Sequence, residues 1–110
     1  MANLQNQLIR EQLSIELCDN FTKRLDPRQT KEIKIGALIA IRNFIKESLV
    51  NDPIIYSFLV DTMLDPDKEV RRYVVSIIKE VINPEIKELL EIKLVETSGE
   101  IKTEINNLLR

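Results

Sequence analysis

The chain has 110 residues, 44 % hydrophobic and 31 % charged, with a net charge of −2; this fits one folded domain and excludes a disordered chain or a nucleic-acid binder built on bulk positive charge. Histidine is absent and Cys18 is the one cysteine, which removes Ser-His-Asp and Cys-His catalysis, the usual zinc sites and any intrachain disulfide. No cofactor site and no catalytic residue is expected.

The opening "MANLQNQLIREQ" lacks the basic start and apolar core of a signal peptide, and no apolar run reaches the roughly 18–20 residues of a membrane helix. The expected location is cytoplasmic. Ile9, Leu13, Leu17, Phe21 and Leu25 recur at steps of four, predicting a first helix that ends before Asp26. All four prolines follow Asp or Asn, in the pairs Asp26-Pro27, Asp52-Pro53, Asp65-Pro66 and Asn83-Pro84. An Asx cap followed by proline suits the first turn of a helix, so each pair reads as a helix start.

A second helix carries Ile33, Ala37, Ile41, Phe44 and Ile45, and a third carries Ile54, Ile55, Phe58, Leu59 and Met63. The fourth has the clearest stripe: Val70, Tyr73, Val74, Ile77, Ile78 and Val81 follow the i, i+3, i+4, i+7 spacing of one buried face. Ile86, Leu89, Leu90 and Leu94 mark a fifth helix. A sixth, with Ile101, Ile105, Leu108 and Leu109, follows "TSGE", where Thr97 and Glu100 have capping-box spacing. No segment alternates with period two, so the many β-branched residues do not argue for strands. The expected fold is all-α, six helices with short connections that make neighbours antiparallel.

The helices repeat. Setting Ile33 over Val70 places Lys34 on Arg71, Ala37 on Val74 and Ile41 on Ile78; setting Ile101 over Val70 places Lys102 on Arg71 and Ile105 on Val74. The stretch "DPDKEVRRYVVSIIKEV", with Asp65, Pro66, Val70 and Arg71, resembles the D-P-x-x-x-V-R signature of the HEAT repeat family, including its phycobilisome-lyase-type units. The resemblance implies a short α-solenoid (an α-α superhelix) of about three antiparallel helix pairs. The single domain spans 1–110, with approximate repeats 4–50, 52–82 and 84–110. The outer units depart from the signature, "DPRQTKEIK" being two residues longer and "TSGEIK" lacking the Asp-Pro, as terminal units of a solenoid do. The chain reads as a minimal solenoid or as a piece of a longer one.

The same resemblance implies that the basic residue after the aliphatic one contacts the Asp of neighbouring turns. Lys34, Arg71 and Lys102 would then form a structural ladder against Asp65, Asp67 and Glu100; the rival reading of Arg71 is a ligand for phosphate or an acidic partner. It also implies that the second helices line an inner, concave surface. Arg42, Lys46, Arg72 and Lys79, with Ile35, Ile39 and Val75, are therefore the candidate partner-binding face. A solvated flank is the alternative, because Glu47, Glu69 and Glu80 are interspersed. The expected activity is a non-catalytic protein–protein interaction scaffold. Two alternatives follow from the family: a DNA-binding protein, disfavoured by the charge and by the lack of Trp, and a bilin-handling protein, disfavoured by the missing His. The apolar stripe of the last helix, Ile101, Ile105 and Leu108, suggests homo-oligomerisation through a terminal repeat as a further possibility.

Overall fold

Residues 16–47 and 54–110 are described in the computed structural model of the chain; Ile9, Leu13 and the Asp52-Pro53 pair lie outside them. Among the described residues the regular structure is entirely helical. α1 covers 16–24, and α2 Lys31–Glu47. α3, Ile54–Asp61, runs on into a 3₁₀ turn at Thr62–Leu64. α4 is Lys68–Val81, α5 Pro84–Leu94 and α6 Gly99–Leu109.

Helix starts are set by side-chain caps at some of the expected places and displaced at others. Asn83 caps α5 as expected: its Oδ1 accepts from the Ile86 amide at 2.8 Å, and Pro84 takes the first turn. The two Asp-Pro pairs among the described residues, Asp26-Pro27 and Asp65-Pro66, instead shape the turns ahead of their helices. Asp65 accepts from the Asp67 amide, and it is Asp67 that caps α4 through the amides of Glu69 and Val70. Asp26, five residues before α2 begins at Lys31, likewise accepts from the Arg28 amide. A proline fixes its own φ but not the helix register, and a short Asx turn relieves the amide two residues on. The expected Thr97 cap is also absent. Ser98 stands at the N-cap without a side-chain bond, and the Thr97 hydroxyl donates to the Leu94 carbonyl. Gly99 has φ +62°, a left-handed conformation open to glycine at little cost.

Packing puts the helices in two rows. α2 packs on α4 and α4 on α6, while α3 packs on α5; α5 also contacts α6, and α2 contacts α3. One cluster holds the core, with Phe21 from α1, Leu38 and Ile41 from α2, Ile55 and Leu59 from α3, Val70, Val74 and Ile78 from α4, Ile86 and Leu90 from α5, and Ile105 from α6. The rings of Phe44 and Phe58 meet Phe21 edge-on, at centroid distances of 6.3 and 6.0 Å.

The buried face of α4 is rotated from the stripe read in the sequence. Val70, Arg71, Val74, Ile77 and Ile78 are buried, whereas Tyr73 is 41 % exposed and Val81 half-buried. At about 100° per residue, Tyr73 lies at one edge of that arc and Arg71 at the other. Contacts with α6 cover the Arg71 edge and leave much of the Tyr73 edge open. Ile33, aligned with Val70, is also 41 % exposed, although both are the third residue of their helices and Val70 is fully buried. On α6, Ile105 and Leu108 are buried within the chain and Ile101 is half-buried.

Candidate functional site

The row formed by α2, α4 and α6 is joined by ion pairs in the register of the sequence repeat. Lys31 in the first turn of α2 meets Glu69 in the first turn of α4 at 2.8 Å, and Lys68 meets Glu100 of α6 at 3.2 Å. Lys31 aligns with Lys68, and Glu69 with Glu100, so these are equivalent rungs. At the other end of α2, Arg42 grips Glu80 of α4 through Nε and Nη2, at 2.7 and 2.9 Å, and Lys46 joins the same carboxylate. Contacts at both ends make α2 and α4 parallel neighbours. A comparable tie links the ends of α3 and α5, Lys93 to Asp61 at 2.8 Å.

A second line of contacts runs deeper. Lys34 is buried, and its ammonium donates to the Pro27 carbonyl at 2.8 Å while meeting both Asp65 oxygens at 3.2 and 2.9 Å. Three acceptors satisfy its three donors. Arg71, also buried, donates from Nη1 to the Asp65 carbonyl at 2.7 Å. Each of these cations therefore holds the turn that precedes its own helix and reaches toward the next unit. For Lys34 that reach ends on Asp65; for Arg71 it ends on Glu100 and Glu104, both at 3.9 Å. Of the other expected ladder residues, Asp67 serves as the α4 cap. Lys102 is exposed and without an ion pair among the described residues.

Arg71→Ala should lower stability by about 1–3 kcal/mol, the usual effect of removing a charged donor and leaving a buried acceptor unsatisfied. Urea unfolding of the variant measures it, and an unchanged midpoint would remove Arg71 from the joint.

The candidate partner face divides in two. Arg42 and Lys46 are occupied by Glu80, whereas Arg72 and Lys79 are exposed with no hydrogen bond or ion pair among the described residues. Ile35 and Val75 are half-buried, and Ile39 is 42 % exposed. What the sequence reading missed were the Lys31–Glu69 and Lys68–Glu100 rungs, the Asp61–Lys93 tie and the role of Glu104. The first two were detectable, because a Lys-Glu pair recurs at the same offsets as the aliphatic-basic pair.

The two cations beside Glu80 hold its carboxyl well below its ordinary value, at about 2, chiefly by hydrogen bonding. A carboxyl depressed in the folded state adds stability above its unfolded pKa, and that contribution disappears as the pH falls through the folded value. The stabilisation from Glu80 is thus expected to fade between about pH 4.5 and 2. Acid melts of wild type and Glu80→Gln should converge across this window; curves that stay parallel would show that the pair does not couple to folding.

The fold and contacts thus define an all-α protein in which the alternate helices α2, α4 and α6 are joined by in-register ion pairs. No family model matches the chain, and no curated protein and no solved structure gives a significant match. Among the described residues there is no cluster of acidic or thiol groups suited to a metal ion, and no helix is long and apolar enough to cross a membrane.

Proposed function

We propose that the chain is a non-catalytic interaction module, a short HEAT-like α-solenoid whose α2–α4–α6 row offers its solvent face to another protein. The observation that carries this reading is the succession of equivalent rungs, Lys31–Glu69 and then Lys68–Glu100, at the spacing of the sequence repeat. A row built this way holds exposed side chains of successive helices in a fixed array, which lowers the ordering cost of binding. Ile35, Ile39 and Val75 supply apolar area on that face, and Arg72 and Lys79 supply charge.

The test joins affinity capture from the source cells with hydrogen-exchange mapping of the captured complex. Protection confined to the exposed side of α2, α4 and α6, lost together with capture in Ile39→Asp, is the expected result. Protection on the α3–α5 row, or capture indifferent to Ile39→Asp, would overturn the reading.

A further inference from the structure

The partner's chemistry follows from how charge is divided over this face, an inference that rests on the interaction-module reading. Every carboxylate on α4 and α6 has a cation: Glu69 has Lys31, Glu80 has Arg42 and Lys46, Glu100 has Lys68, and Glu104 faces Arg71. Lys102 of α6 is exposed and without an ion pair among the described residues, and so, on α4, are Arg72 and Lys79. They are seven residues apart, two helical turns, so they stand on one side of α4 about 10 Å from each other, with Ser76 between them. The repeat alignment puts Thr103, Asn107 and Arg110 at the corresponding positions of α6, all exposed. By contrast Glu85, Glu88 and Glu91 lie exposed and unpaired among the described residues on α5, in the other row. Lys87 on α5 is also exposed and unpaired among the described residues, but it stands beside those three carboxylates, so net free positive charge lies on the α4–α6 side and net free negative charge on α5.

We propose that the α4–α6 face binds an acidic segment of a partner protein, with carboxylates paired to Arg72 and Lys79 and the peptide backbone along Ser76, Thr103 and Asn107. Cations already tied into salt bridges contribute little to such a contact, which assigns recognition to Arg72 and Lys79 and not to Arg42 and Lys46. A peptide suits the face better than a nucleic acid. Tight duplex binding neutralises about six to ten phosphates, and the free cations of α4, α6 and its C-cap are Arg72, Lys79, Lys102 and Arg110.

The experiment is fluorescence anisotropy of the full chain with a fluorescein-labelled octaglutamate peptide, beside a labelled duplex DNA of about 16 base pairs. Saturable peptide binding that weakens with salt is expected, reduced about tenfold or more in Arg72→Glu/Lys79→Glu and also reduced in the milder Arg72→Gln/Lys79→Gln. Glu80→Gln, by releasing Arg42 and Lys46, should tighten it severalfold. Peptide binding indifferent to these changes overturns the inference, as does tighter binding of the duplex. If the peptide does not bind but a captured protein still protects the α2–α4–α6 face, this inference fails and the module reading stands. If neither occurs, both fall.

Discussion

Asp65→Ala is expected to destabilise the protein by about 3–5 kcal/mol, the range found when one partner of a buried ion pair is removed. Asp65 and Lys34 have side chains 2 % and 4 % exposed, so the ammonium left behind could not recover water without opening the α2–α4 joint. The loss has a second part. The same carboxylate accepts from the Asp67 amide at 2.9 Å, and without it the turn that places the α4 cap loses its internal bond. The carbonyl of Asp65, held by Arg71, belongs to that turn as well. One short segment thus fixes the start of α4 and its distance from α2. Guanidinium unfolding should show the loss directly. The double variant Lys34→Met/Asp65→Ala should be less destabilised than the sum of its single changes, since an apolar chain replaces the stranded charge. Strict additivity would mean that the two side chains do not act as a pair.

Phe21→Ala should cost about 3–5 kcal/mol, as large-to-small changes of buried aromatics do. Phe21 is 1 % exposed and lies between the rings of Phe44 on α2 and Phe58 on α3. The two rings approach from different helices, so a cavity there could not close unless α1, α2 and α3 all shifted. Phe21→Leu, which keeps most of the volume, should recover a large share of the loss. Thermal melts of both variants check this; a Phe21→Ala melt within a degree or two of wild type would place α1 outside the cooperative unit.

The two experiments probe different parts of the same arrangement. Asp65 reports on the polar seam that joins successive units, and Phe21 on the apolar centre shared by the first three helices. A solenoid-like construction predicts that damage is felt most by adjacent units, because each unit contacts mainly its neighbours. Hydrogen exchange on Asp65→Ala should therefore rise first in α2 and α4, with α5 less affected.

Helix identity was legible in the residues because apolar spacing is a local signal: a stripe such as Val70, Val74, Ile77 and Ile78 has one helical solution. Asn83-Pro84 was legible for the same reason, since cap and proline act within one turn. Asp26-Pro27 and Asp65-Pro66 were misread as caps because the same Asx chemistry also closes a turn, and which of the two occurs depends on where the next helix must start to pack. The rotation of α4, with Arg71 buried and Tyr73 largely exposed, lay outside any single-helix reading. It depends on which neighbour covers which edge.

The candidate face shows the same division. Arg42, Lys46, Arg72 and Lys79 are alike in sequence, four cations on helix surfaces with acids nearby. Tertiary structure alone separates them, because Glu80 comes from a different helix and the distance that matters is across the α2–α4 joint. By itself the sequence determined that the chain is helical and that an aliphatic-basic pair recurs in register on three of its helices. The fold decided which cations are occupied in ion pairs between helices and which stand unpaired among the described residues, since an ion pair is set by separation in space and spacing along one helix does not contain it.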